Sequence, residues 1–409
     1  MPSIRIAVVG GGAAGMFAAI SAAEANEKAD IVVFEKSSRF LSKVKISGGG
    51  RCNVTHACFD PKELIGRYPR GSKALLGPFY RWQPRDMVEW LEWRGVDLKT
   101  EGDGRMFPTT DSSQTIIDCL MEAANDFGIQ LQSRTGVDSI RVLEDGRFEL
   151  SLATGSNELF DRLIIASGGG KSMDSHSLAT SLGHSIAPLA PSLFTFHIND
   201  PRIDGLQGLS VGDVTVSCDA AKLTQNGPLL ITHWGTSGPA ILKLSAWGAR
   251  FFAERDYRFE ISVNWTGSSD RQSVLEVLSQ AKKIHGAKQV GSQAPFELPK
   301  RLWERLLAFS GIDEKRQYSQ LSKAQASTLA DTLVDSRFHV SGKSMNKEEF
   351  VTCGGVNLNE IDFKRMESKL QPMLFFAGEA LDIDGVTGGF NFQAAWTTGR
   401  IAGQSAAEA

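Results

Sequence analysis

The tightest constraint in this sequence is Gly10-x-Gly12-x-x-Gly15, set between a β-branched apolar run and a stretch of small residues. Ile4–Val9 has the composition of a buried parallel strand. Met16–Ala25 reads as a helix whose small side chains let it lie close to that strand. Ile31–Phe34 reads as a second strand that closes in Glu35, about 20 residues past Gly15. Together these form a βαβ unit. In such a unit Gly10 permits the tight turn, Gly12 lets the backbone approach a pyrophosphate, and Gly15 lets helix pack on strand. The acid at the end of the second strand is placed to accept hydrogen bonds from a ribose hydroxyl pair. A carboxylate there disfavours a 2′-phosphate, so NADP is not expected at this position, whereas FAD and NAD both fit.

The remainder of the chain predicts more than one domain. Its 409 residues suffice for two or three cores. Residues 84–95 and 112–127 read as amphipathic helices, starting at Pro84 and at Ser112 or Ser113. Gln130–Val142 and Arg147–Leu152 read as strands around the turn Glu144-Asp145-Gly146, and Leu163–Ala166 as a buried strand running into Ser167-Gly168-Gly169-Gly170. After Pro188 and Pro191 the texture changes. Residues 192–265 alternate in strand fashion between glycine turns, and 270–340 are polar and helix-patterned, as a helical insert or lid would be. From Phe350 the strand, glycine turn and helix texture returns, so the chain is expected to leave a nucleotide-binding domain near 190 and re-enter it near 350.

Composition excludes several classes. The charge is balanced, 44 basic against 47 acidic residues, which predicts no broad nucleic-acid or anionic-membrane surface. Five scattered cysteines argue against a disulfide framework and for a reducing compartment. Ile6–Ala23 carries no charge, but it is broken by four glycines and makes a poor export signal or membrane span. A cytoplasmic protein is expected. No His/Cys cluster has ligand spacing, so no metal site is expected.

Two further motifs carry chemistry. In Ser47-Gly48-Gly49-Gly50-Arg51-Cys52-Asn53-Val54-Thr55, three glycines before Arg and Asn suit a backbone loop packed on a flat or anionic ligand; a structural loop with a salt-bridged Arg is the competing reading. Cys52 invites a redox reading, but five residues separate it from Cys58, unlike familiar redox pairs, so a packed or ligand-facing thiol is expected. Near the C-terminus, strand Leu374–Ala377 leads through Gly378-Glu379, Asp382, Asp384-Gly385 and Thr387-Gly388-Gly389-Phe390-Asn391 into a helix from Gln393 to Ala402. A helix start preceded by Gly-Gly can present amides to a ligand oxygen; in a flavoprotein it can face the end of the ring where negative charge develops. Asp382 and Asp384 read as turn-formers.

The segments GGGAAG, SGGGRCNVT, LLITHWGTSGPAIL, VTCGGVNLNEI, MESKLQPMLFFAGEALDIDG and TGGFNFQAAWTTGRIAG resemble those of the BaiN-like family of FAD-dependent oxidoreductases, some of whose members are described as aminoacetone oxidase-like. The resemblance spans nearly the whole chain and is least informative across 270–340. It implies an α/β fold: a Rossmann-like FAD domain from 1–190 and 350–409, an inserted β-barrel-like domain from 191–269 and 341–349, and a small helical subdomain from 270–340. It implies FAD contacts at Gly10, Gly12, Ala14 and Gly15 around the pyrophosphate, and at Glu35 and Lys36 by the adenosine ribose. Arg51, Cys52, Asn53 and Thr55 would lie along the cofactor, with Val137 meeting the adenine through its backbone. Gly168, Gly378 and Glu379 would follow, and Gly388, Gly389, Phe390 and Asn391 would lie at the flavin end. Two departures from the family pattern are His56, where Asn is frequent, and Arg365, where Thr is frequent.

The function expected on this basis is hydride transfer through FAD, with NADH, NADPH or an organic donor on one side. An unsaturated, carbonyl-conjugated acceptor or oxygen would stand on the other. The inserted regions would set specificity for a small-molecule substrate. Within them, His233 and Trp234 have two readings: a proton donor and aromatic wall over the flavin, or, favoured, a buried hydrogen-bonded His beside a core Trp. The rivals are an NAD-dependent dehydrogenase and a non-catalytic FAD-binding or RNA-associated module.

Overall fold

A computed structural model describes residues 4–170, 176–344 and 351–408. The chain divides into two compact units: Met1–Pro191 with Lys347–Ala409, and Ser192–Asn346.

The first unit is organised by five parallel strands in the order Gln130–Ser133, Asp30–Glu35, Arg5–Val9, Arg162–Ile165, Leu374–Phe376, with two short antiparallel strands, Glu367–Ser368 and Ile361–Asp362, on the outer edge. The strands of the central three are almost wholly buried, which explains their unbroken apolar runs. From Arg5–Val9 the chain moves to one side for its next two parallel strands, then crosses to the other side for the last two. Ligands of such sheets bind beyond the strand carboxyl ends, where the order reverses. Val9 is in register with both Phe34 and Ile165, and Ile165 with Phe376, so those ends are level.

The glycine helix is Ala13–Ala25, and it packs along the C-terminal helix Phe390–Ala407. Both are nearly all buried, so neither shows a one-sided apolar stripe. Small residues permit the contact. A Cβ on Gly399 would stand 2.6 Å from the Ala14 carbonyl oxygen, and one on Gly403 only 2.1 Å from that of Ala18. Of the sequence-read helices here, Pro84–Trp93 and Ser113–Asp126 form, the latter capped by Ser112 accepting from the Gln114 amide. The stretch 130–142 is two strands. Gln130–Ser133 joins the parallel sheet, and Val137–Val142 starts a separate antiparallel sheet with Phe148–Leu152 and Asn157–Phe160.

The second unit holds an antiparallel sheet in the order Ser336–Val340, Phe259–Asn264, Ser210–Cys218, Leu223–Ile231, Gly235–Ser237, Thr195–His197, Gly342–Ser344. The first and last strands of that order are joined through Ser341 alone. The sheet therefore curls nearly shut, as a barrel does. Two features differ from the sequence reading. Residues 239–247 and 249–253 are helices, not strands, the first opened by Pro239 at its first position. Ser336–Val340, read as part of a helical stretch, is a strand. The helices Arg271–Ile284, Lys300–Phe309 and Lys323–Val334 share one core with the sheet: Leu278, Trp303, Leu306, Leu329 and Leu333 pack with Val214, Val216, Ile261 and Val263. A separate helical subdomain is thus not what these residues form.

Since the two terminal helices meet without room for side chains, Gly403→Val should cost about 3 kcal/mol. Urea denaturation checks this; an unchanged midpoint would remove the argument.

Candidate functional site

The loops at the level strand ends build the site. Gly10 (φ 110°) and Gly15 are there for packing: a Cβ would lie 2.4 Å from the Ala166 oxygen in one case and 1.9 Å from the Gly10 oxygen in the other. Gly12 differs. It caps Ala13–Ala25 without a side-chain hydrogen bond, and a Cβ there would meet nothing within 4 Å. The first-turn amides therefore face open space with their dipole unopposed by a side chain. This is a cradle for an anionic group, and a dinucleotide pyrophosphate fits it.

Glu35 reaches back over this turn. Its Oε2 accepts from the Gly11 amide (2.9 Å) and its Oε1 from the Ser37 amide (2.7 Å), which fixes the carboxylate beside the cradle. Lys36 is exposed next to it. The Thr135 amide donates to the Glu35 carbonyl (2.9 Å), which holds the following segment, Gly136 and half-buried Val137, beside the strand end. Across the sheet, Glu379 accepts from the Gly169 amide (3.2 Å) and from Lys43 Nζ (2.6 Å). Gly378 (φ 66°) donates its amide to Thr398 Oγ1 (2.9 Å) and lies over Ala14. Gly168 (φ 78°) opens onto free space.

Gly48–Gly50 are left-handed (φ 58°, 69° and 85°), Arg51 is right-handed (φ −95°), and Cys52 is left-handed again (φ 60°). Gly48 packs on Phe107 and Asn53, whereas Gly49 and Gly50 have nothing within 4 Å. Alternation of left- and right-handed residues, as over Gly50-Arg51-Cys52, can turn successive amides to one side into an anion-binding concavity. Downstream, the segment is stitched to the C-terminal loop. The Asn53 amide accepts from Gly389 N (3.0 Å) and donates to the Thr55 carbonyl (3.0 Å). Thr55 Oγ1 donates to Gln393 (2.6 Å), Trp396 Nε1 to the Val54 carbonyl (2.9 Å), and the Tyr68 hydroxyl to the Phe390 carbonyl (2.7 Å). Asn391 clasps both the amide and the carbonyl of Gly385 (2.8 and 3.0 Å). Gly389 (φ 91°) heads Phe390–Ala407 with no side-chain cap, so a second helix start leaves its first-turn amides without a side-chain partner.

Several candidates have other employment. Arg51 binds Glu101 (2.7 Å) and lies over the Phe107 ring (4.1 Å), the salt-bridged alternative weighed for it. Cys52 is fully buried and forms no disulfide, and burial pushes its thiol up to about 12. Asp384 is wholly buried and pairs with Arg70, so it is a structural anchor and more than a turn-former. Arg365 binds Glu367 (2.8 Å) and Glu408, away from these loops. His233 and Trp234 belong to the second unit, and the favoured reading of them fails: both are exposed, Trp234 by 64%. They sit in the link between Leu223–Ile231 and Gly235–Ser237, where the hairpin leaves side chains no core to enter.

Sequence reading missed Lys43 and Gln393, each of which fixes a site loop through a partner more than 300 residues away, and Thr398, which holds Gly378 from 20 residues away. It also left His56 without a role. Its ring stacks on Phe390 (4.7 Å between centroids), and Nε2 lies 3.1 Å from the Asp103 carbonyl. A carbonyl can only accept, so Nε2 carries the proton and Nδ1 is a bare, buried acceptor. Burial holds this imidazole below its ordinary 6.5, assisted by Arg67 and Arg105 and opposed by Asp103.

Two outcomes follow. The fold favours neutral His56, so its contribution is complete above about pH 6.5 and is lost as pH falls from there through the lowered value. In His56→Asn the fall in melting temperature between pH 7 and pH 5 should be smaller than in the parent; an equal fall refutes it. Cys52 should resist iodoacetamide at pH 8 until the protein is unfolded, as mass spectrometry would read; fast labelling of the folded protein contradicts the burial argument.

Residues 4–405 match the family described as HI0933-like protein Rossmann domain. The chain is 30% identical over 401 residues to "Ribosomal RNA dihydrouridine synthase" of Escherichia coli (strain K12), covering 96% of this chain and 95% of that protein. It is 27% identical over 415 residues to "3-dehydro-bile acid delta(4,6)-reductase" of Clostridium scindens, covering 99% of each. Among solved structures it resembles a 3-ketosteroid-Δ4-(5α)-dehydrogenase from Rhodococcus jostii RHA1, with a TM-score of 0.52 at 16% identity, over 99% of this chain and 97% of that one. At that identity the likeness is one of fold.

Proposed function

Because the chain belongs to the HI0933-like Rossmann family and is a flavin-dependent oxidoreductase, we propose that it saturates a carbon–carbon double bond conjugated to a carbonyl, with FAD held by the loops of its first unit. The observation that carries the FAD assignment is the pair of uncapped helix starts, at Gly12 and at Gly389, with Glu35 standing beside the first. One helix start suits a pyrophosphate; a second, tied to the Asn53–Thr55 segment, suits the opposite end of an extended dinucleotide.

When bound, FAD supplies hydride transfer, which neither side chains nor backbone can provide. The residues of this chain bind and polarise. In this reading the Gly12 turn takes the pyrophosphate and Glu35, with Lys36 alongside, the adenosine ribose. Val137 meets the adenine through its backbone. Gly168, Gly378 and Glu379 line the middle, and Asn53, Thr55, Gly388, Gly389, Phe390 and Asn391 the flavin end. The first-turn amides beyond Gly389 stabilise negative charge that develops there, without reorganising. Arg51 and Cys52 act as supports, one through Glu101 and the other by packing. NADH or NADPH supplies the electrons.

The substrate class rests on chemistry common to two names. One relative is named for making dihydrouridine and the other for reducing a delta(4,6) bile acid. Both imply adding two hydrogens across an alkene made electrophilic by conjugation. Oxygen as acceptor and an amine as donor have no such support. The ribosomal RNA in the first name also tempers the expectation that nucleic acid plays no part. Among the described residues, no helix is long and apolar enough to cross a membrane.

The purified protein should be yellow and should bleach when titrated anaerobically with NADPH or NADH. A folded but colourless protein that releases no FAD points to the NAD-dependent rival. A coloured protein that stays oxidised with both points to the non-catalytic one. Glu35→Ala should weaken FAD retention by about 10-fold or more, the worth of a charge-assisted hydrogen bond. Undiminished occupancy removes the ribose assignment.

A further inference from the structure

The second unit contains a cleft of ≈ 260 Å³ that the flavin site does not use. Its lining includes Asn199, Asp204, Gln207, Thr232, His233 and Trp234. The Trp234 ring lies nearly parallel to that of His197, with centroids 5.5 Å apart and planes at 21°. One face of the indole is therefore fixed by a neighbour while the side chain stays 64% exposed. An exposed Trp held flat in this way is a platform for a second flat ring. His197 adds an independent sign, since its Nε2 is buried and has no partner. Burial and Lys343 keep that ring below its ordinary pKa, so the stack is between neutral rings near pH 7.

The lining selects the ligand. Two primary amides, a hydroxyl and a carboxylate offer both donors and acceptors, which suits the edge of a heterocycle with alternating carbonyl and N–H groups. Asp200, also on the wall, is already bound to Arg202 (2.7 Å), whereas Asp204 is exposed at the mouth. An apolar body such as a steroid would find little here to bury against. The cleft is also smaller than the roughly 300–1,000 Å³ usual for drug-sized ligands, and a single base is the better match.

The rim selects the context of that base. Gly205 follows Asp204, and Arg301 donates to its carbonyl. Arg305 Nη2 lies 3.6 Å from where a Gly205 Cβ would stand. Both arginines are exposed, one turn apart on Lys300–Phe309. A stacking surface beside paired guanidinium groups is how single-stranded nucleic acid is held. The overall charge of −3 does not oppose this, because the attraction is local to the rim.

We propose that the second unit binds single-stranded RNA, with one pyrimidine base stacked on Trp234 and neighbouring phosphates on Arg301 and Arg305. The inference rests on the conjugated-alkene reading and deepens it, because a uracil carries such an alkene and the second unit would hold the strand in which such a base lies.

The test uses the full-length, FAD-loaded protein and a fluorescein-labelled oligouridylate, with anisotropy measured across a salt series. Trp234→Ala should weaken binding about 5- to 100-fold, as loss of base–aromatic stacking does. Trp234→Phe should recover most of it. Arg301→Gln with Arg305→Gln should lower the slope of log affinity against log salt by about 1.4, or 0.7 for each phosphate contact. Circular dichroism and flavin absorbance report whether each variant is folded. Parent-like binding by Trp234→Ala overturns the proposal, as does failure of the parent to bind the oligonucleotide. A parent that binds no RNA yet is reoxidised by a steroid enone overturns this inference alone. A parent whose flavin cannot be reduced overturns the reading beneath it.

Discussion

The contact between Ala13–Ala25 and Phe390–Ala407 is the constraint on which the first unit depends. These helices come from opposite ends of the sequence, and their backbones approach so closely that Gly399 and Gly403 leave no space for a methyl group. That approach sets the Gly12 and Gly389 turns at the same end of the sheet. It also positions Thr398 under Gly378, and hence Glu379 against Gly169. The two helix starts are thus held at fixed separation by packed helix and strand. The geometry of the candidate site is in this way a consequence of small-residue packing at Gly399 and Gly403.

Around that frame the chain supplies polarity mostly through backbone. Two helix starts lack side-chain caps, and Gly49 and Gly50 are left-handed with nothing packed where their side chains would be. The side chains nearby are largely committed to one another: Arg51 to Glu101, Arg70 to Asp384, Asn53 to Gly389. Backbone donors cannot rotate away or lose their protons. A site made of them is organised before a ligand arrives, which is what stabilising a developing negative charge requires.

How much of this could be read beforehand follows from the range of the forces involved. The opening βαβ unit and Glu35 were legible because turn, helix start and acid lie within thirty residues and obey local steric rules. The return of the chain near 350 was legible from texture. The salt-bridged reading of Arg51 was open, but its partners were not legible, because Glu101 and Asp111 are fifty and more residues away. Helices at 239–253 were missed because Gly238-Pro239 signals a turn as well as a helix start, and only packing against Leu223–Ile231 decides. His233 and Trp234 were misjudged because an aromatic in an apolar neighbourhood reads as core, whereas the hairpin geometry that points it outward depends on strand pairing. The helices after 270 were read correctly as helices, but no local pattern shows that Trp303 and Leu329 complete the core of a sheet.

The division of the chain has a consequence for its biosynthesis. The second unit is one uninterrupted stretch, Ser192–Asn346, with its own core. It can fold as soon as it clears the ribosome. The first unit cannot, because its fifth parallel strand and the helix that covers Ala13–Ala25 are translated after the second unit. Until then the glycine helix has an uncovered apolar flank, and nascent chains in that state are candidates for chaperone capture. Closure of the first unit therefore waits for Phe390–Ala407, and loss of that helix would leave an inserted unit intact beside a parallel sheet that never closes.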